Sequence, residues 1–154
     1  MRMGNQWLKL GGILSFAVAL LHVIIIFVGA SAYRYFGAGE DMATATESGS
    51  AFPALLTFVL VAVFAVWGFY GLSGAGVIRR LPLLKIALIL IGVVYSLRGV
   101  AVFQQLFQIA TSSAEVAPRE IVFSLVSLII GLAYLIGTSA SWRSRVASNR
   151  IVQT

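Results

Sequence analysis

The sequence predicts an all-α integral membrane protein: four helices in an up-down bundle with left-handed packing, both termini on the cytoplasmic side. Three observations carry this. The chain of 154 residues is 60% hydrophobic and only 10% charged, with a mean hydropathy of +0.98. Soluble domains carry about 25% charged residues, and a water-soluble fold of this size has no interior large enough for so many apolar side chains. Apolar runs long enough to cross a bilayer, which takes about 20 residues, recur along the chain. Finally, the charges between these runs fall into two groups of opposite character.

The spans are expected at 10–30, 53–78, 83–110 and 121–139, in one transmembrane domain covering 1–154. The first follows Arg2, Trp7 and Lys9. Its end, Ala30-Ser31-Ala32, has the small-residue pattern of a signal-peptidase site, but the apolar run before it exceeds the roughly 7–15 residues of a signal peptide. An uncleaved helix is therefore expected. A seam recurs along it at helical spacing: Gly12, Ser15, Ala19, His22, Ile26, Gly29 and Tyr33. The next segment, YRYFGAGEDMATATESGSAF, is polar and acidic and reads as a flexible outer loop with Tyr33, Tyr35 and Phe36 at the interface.

The second span carries Thr57, Val61, Phe64, Gly68, Gly71 and Ala75 on one face, and its small residues permit close backbone approach. Trp67 and Tyr70 read as packing aromatics. GLSGAGVIRR, 71–80, has glycines as G-x-x-G-x-G after a membrane helix, not G-x-G-x-x-G after a strand, so it is a tight basic turn and not a phosphate loop. Pro82 is expected in the first turn of the third helix. That helix is longer than a bilayer requires, so it tilts or projects. Its seam is Leu88, Ile91, Tyr95, Arg98, Val102 and Gln105, apolar in one half and polar in the other; Gln104 and Gln108 are interfacial. In TSSAEVAPRE, Pro118 and Glu120 mark a helix start, where negative charge suits the dipole. The fourth span has the most regular stripe, Glu120, Ser124, Ser127, Gly131, Tyr134, Thr138 and Ser141, at alternating steps of four and three. Lipid takes the greasy face, so this face turns to protein. SNRIVQT is expected to fray.

Direction follows from charge. Arg2, Lys9, Arg79, Arg80, Lys85, Arg143, Arg145 and Arg150 share one side with no acid, and all 5 acids lie on the other with Arg34 and Arg119. The positive-inside rule places both termini in the cytoplasm of a bacterial inner membrane, with Trp7 and Trp142 at that interface. A bias this strong argues against dual topology. It also accounts for the net charge of +6 without nucleic acid.

With no cysteine and one histidine, disulfides, thiolate sites and a bis-histidine haem within the chain are excluded. No metal site and no catalytic motif are expected; an enzyme is not the favoured reading. At about 1.5 Å per residue, His22, Val61, Arg98 and Ser127 fall about 10–12 Å below the outer boundary. A lone guanidinium there costs a few kcal/mol. Arg98 is therefore expected to turn inward and reach toward Glu120, with Tyr95, Gln105, Ser124 and Ser127 completing its shell. That arrangement is either a structural ion pair or a pocket, with His22, for an anionic or carbonyl-bearing amphiphile such as a lipid headgroup or a quinone. Arginine binds such oxygens bidentately, and histidine relays protons near neutral pH. Two alternatives stand beside it: a non-catalytic accessory or stabilising subunit of a membrane complex, and a small transporter or proton-linked protein using His22. Arg79, Arg80 and Lys85 are expected to touch anionic lipid at the inner surface. Expected partners are membrane lipids and a homo-oligomer or larger complex, and the only expected cofactor is a bound lipid or quinone.

Overall fold

The computed structural model describes residues 3–111 and 116–151. Among the described residues every regular element is helical: α1 (Met3–Val28), α2 (Ala30–Phe36), α3 (Glu40–Glu47), α4 (Phe52–Gly74), α5 (Leu84–Ala110) and α6 (Pro118–Ile151). Four of these, α1, α4, α5 and α6, are long and apolar enough to cross a membrane. The chain divides into two compact units, 1–13 with 69–154, and 14–68.

In the first unit α5 and α6 lie packed along each other. The expected stripe on α6 is inside: Ser124, Ser127, Gly131, Tyr134, Thr138 and Ser141 are all buried, and only Glu120 at its head is exposed. Tyr134 is fully enclosed and its ring lies parallel to that of Tyr95, at 6.3 Å between centroids and 9° between planes. Leu8, Leu88 and Ile130 are fully enclosed as well. Lipid tails are as apolar as leucine, so in a bilayer these contacts hold by dispersion and close fit more than by expulsion of water. The fit depends on glycine. A Cβ at Gly99 would stand 2.5 Å from the backbone of Leu128, and one at Gly71 would stand 2.6 Å from Gly12 Cα. Only hydrogen fits at either crossing.

The seam of α5 departs from expectation at one position. Its buried residues are Leu84, Leu88, Ile91, Gly92, Tyr95, Gly99 and Val102. On the line Ile91, Arg98, Gln105 only Ile91 is buried; Arg98 is exposed and Gln105 half-buried. Gly99 takes the place expected for Arg98.

Other corrections are local. Pro82 stands in the turn before α5, and the residue that caps the helix is Leu83, at φ 50°. The tail expected to fray continues α6 to Ile151, with no proline or glycine after Gly137 to end it. Glu115 lies outside the described residues.

In the second unit the acidic segment is a folded cap and not a flexible loop. Gly29, at φ 77°, turns the chain sharply from α1 into α2. Tyr33 and Ala32 of α2 and Ala43 of α3 close on Ile25, with Leu21, Ala30, Phe36 and Met42 around them. The buried Tyr33 hydroxyl hydrogen-bonds Thr57 Oγ1 at 3.1 Å. On the outside Arg34 bridges two acids: Nε and Nη2 donate to Glu40 and both terminal nitrogens donate to Glu47, at 2.6–3.0 Å. These bonds hold both carboxyls below the usual carboxylate range, and the two acids push the Arg34 pKa up. The composition misled because it is polar overall; the adjacent Ala32 and Tyr33 were enough to give α2 an inner face.

Candidate functional site

The turn between α4 and α5 carries Arg79 and Arg80, and α4 pins it at two points. The buried Ser73 donates its hydroxyl proton to the Arg79 carbonyl and accepts from Leu81 N–H, both at 3.0 Å. One turn earlier, Tyr70 OH donates to the Pro82 carbonyl at 3.2 Å. Within the turn Gly76 takes φ 77°, a conformation that glycine adopts without penalty. Leu83 then sits in the left-handed region, which costs an L-residue about 1–2 kcal/mol. Backbone strain of this kind gathers where surroundings fix a chain for a purpose.

The result is a groove of about 400 Å³ lined by Arg80, Leu81, Leu83, Leu84, Lys85, Ile86 and Trp142. Its charged members are both cations and its floor is leucine and isoleucine. Trp142, near the end of the apolar part of α6, forms the far wall, and Lys85 Nζ lies over its ring, 5.0 Å from the centroid. An ammonium so placed is attracted by the ring's negative face, which fixes the direction of the lysine without consuming its charge. Two cations beside an apolar wall match a molecule with an anionic head and a hydrocarbon body. The lining holds no hydroxyl, imidazole or carboxylate able to act as nucleophile or base.

The residues expected in an outer-half pocket are placed as follows. His22 belongs to the second unit, where Nδ1 donates to the Val18 carbonyl at 2.8 Å and the ring lies 4.9 Å from that of Phe64. Tyr95, Ser124 and Ser127 belong to the first unit and are buried; Ser127 Oγ donates to the Phe123 carbonyl of its own helix. Gln105 turns its Oε1 inside, where it has no partner among the described residues. Arg98 and Glu120 are both exposed, and among the described residues no ion pair joins them. The inward turn expected of Arg98 is thus corrected, because Gly99 holds the inner face where α5 meets Leu128. Arg80 and Lys85 share one groove, and Arg79 is exposed beside it.

Sequence reasoning missed Ser73, Leu83 and the partnership of Lys85 with Trp142. A lone serine six residues ahead of a double arginine was a usable sign of a pinned turn. The meeting of residues 85 and 142 depends on how α5 and α6 cross, which no spacing records. No family model, no curated protein and no solved structure matches the chain.

Proposed function

We propose that this chain is a non-catalytic, lipid-handling protein of the bacterial inner membrane, threaded with both termini in the cytoplasm, and that it holds an anionic amphiphile in the groove at the α4–α5 turn. The observation that carries the reading is the joint presence of Arg80, Lys85 and Trp142 around one apolar floor, on a turn fixed by Ser73 and Tyr70. The guanidinium offers paired N–H donors to two phosphate oxygens, and the ammonium adds a point charge. Leu83 and Ile86, both exposed, lie where an acyl chain would run. The indole suits the boundary between headgroups and tails.

The test uses the full chain in phosphatidylcholine nanodiscs with and without phosphatidylglycerol, read by native mass spectrometry for retained lipid. A basic residue near an anionic surface contributes about 1 kcal/mol, so Arg80→Gln with Lys85→Gln should weaken phosphatidylglycerol retention about 30-fold. Phosphatidylcholine retention should not change. Equal retention of phosphatidylglycerol by the double variant and the parent would remove the proposal.

A further inference from the structure

We propose, resting on the reading of the α4–α5 groove as a site for an anionic amphiphile, that it selects a lipid whose headgroup is a bare phosphomonoester over lipids whose phosphate is a diester. Every polar side chain in the lining is a hydrogen-bond donor: the Arg80 guanidinium, the Lys85 ammonium and the Trp142 indole N–H. None of these groups accepts a hydrogen bond. Carbonyls of the turn are already engaged, that of Arg79 by the Ser73 hydroxyl and that of Pro82 by the Tyr70 hydroxyl. The backbone adds donors on the same side. Leu84, Lys85 and Ile86 are the first turn of α5, and all of them line the groove. No side chain caps that end and no acid stands in its first turn. The first N–H groups of a helix have no partner within it, and its dipole favours negative charge there. This reinforces the cations; the groove and its charged side chains make the site.

A lining of donors answers a ligand made of acceptors. The terminal oxygens of a phosphomonoester all accept, and together they carry a charge of about −1.5 to −2 at pH 7. A phosphodiester carries a single charge and gives one of those oxygens to a further group. A glycerol there brings hydroxyls that need acceptors, and an ethanolamine brings an ammonium that Arg80 and Lys85 repel. The apolar floor of Leu83, Leu84 and Ile86 commits the occupant to a lipid and not to a soluble phosphate. Charge then makes the choice depend on pH. A phosphomonoester takes its second charge at about pH 6, and a diester has none to take. The charged groups facing it are Arg80 from the turn and Lys85 from α5; α6 presents the neutral Trp142, and the Tyr70 hydroxyl of α4 is bound to Pro82. Arg79, beside the groove, and Arg143, next after Trp142, are exposed and add positive charge. No imidazole or carboxylate lines the groove, so the proton that titrates there is the lipid's.

The test uses the full chain in phosphatidylcholine nanodiscs that hold equal fractions of phosphatidic acid and phosphatidylglycerol, read by native mass spectrometry. Phosphatidic acid should be retained about ten-fold over phosphatidylglycerol at pH 8, because its second charge meets both cations. The ratio should fall toward one at pH 5, where that charge is lost. Arg80→Gln and Lys85→Gln should each lower the pH 8 ratio about three-fold or more, with the melting temperature at the parental value. Millimolar glycerol phosphate should not displace the lipid; displacement would make a soluble phosphomonoester the occupant and overturn the proposal. A ratio that ignores pH, a ratio unchanged in both single variants, or stronger retention of cardiolipin than of phosphatidic acid would each overturn it. Equal retention of both lipids at pH 8, above phosphatidylcholine and lost in the double variant, would overturn the selectivity and leave the groove a general anionic site. Retention of neither above phosphatidylcholine would remove both readings.

Discussion

Replacing Gly99 by alanine should unfold the α5–α6 pair more easily than any other single methyl added between them at a side-chain contact. The added Cβ would stand 2.5 Å from both Cα and N of Leu128 and 2.6 Å from its Cβ. Carbon atoms rest at about 3.5–4.0 Å, so the two helices must separate by about 1 Å at the crossing. Backbone has no rotamer by which to move aside. Overpacking costs about 1–3 kcal/mol, and the upper half of that range applies where the obstacle is main chain. The internal comparison is Gly92→Ala, whose Cβ would meet Leu135 Cγ and Cδ2 at 2.8 Å, atoms that a rotation can withdraw. Its cost should fall near about 1 kcal/mol. For a chain of this size a kilocalorie shifts the midpoint by about 2–4 °C. Gly99→Ala should therefore melt about 4–12 °C below the parent in detergent micelles. Val100→Ala on the exposed face should stay close to the parent. Reversible unfolding by titration with sodium dodecyl sulfate gives the free energies directly. If Gly99→Ala proves as stable as Val100→Ala, or less damaging than Gly92→Ala, the close approach of α5 and Leu128 is not real.

Ser73→Ala should cost about 1–2 kcal/mol, since it leaves the Leu81 N–H and the Arg79 carbonyl without their shared partner; micelle unfolding measures the cost, and phosphatidylglycerol retention should fall with it as the basic turn slackens. The cap of α2 and α3 should respond to acid. Glu40 and Glu47 are held below the ordinary value of about 4.5 by hydrogen bonds from Arg34, so their contribution is complete above that value and is lost as pH falls through the depressed range. Amide exchange across 30–47 should thus be slower than in Arg34→Gln at pH 6, and the two should converge as pH falls below the ordinary carboxylate range. Because these groups are solvent-exposed, high salt should narrow the difference as well. A gap that persisted in acid would mean that the apolar contacts of Tyr33 and Ala43 alone hold the cap.

The helices and their inner faces were legible because membrane packing writes itself in side-chain size. Every position from Ser124 to Ser141 on the α6 stripe is buried, and on α4 Thr57, Gly68 and Gly71 are, with Val61 and Phe64 half-buried. Arg98 shows the limit of that reading. A seam written at steps of three and four carried it inward, while the close crossing at Gly99 set the true phase; both sit side by side in YSLRG, and only the partner helix decides between them. The cap was not legible because its stability comes from a handful of contacts in a segment whose average composition is that of a loop. The groove was half legible. The basic turn announced itself, but Trp142 is 57 positions away from Lys85 in the chain.

Leu83 leaves one thing to be drawn out. It is nearly three-quarters exposed and holds a backbone conformation that glycine would adopt without penalty. Among the described residues little covers that side chain. In a bilayer a leucine shielded from water would gain about 1.5–3 kcal/mol, more than the handedness costs. The turn is thus tuned to its solvent: in a thin micelle Leu83→Gly should stiffen nothing and relax the chain, whereas in a continuous membrane the same change removes an anchor.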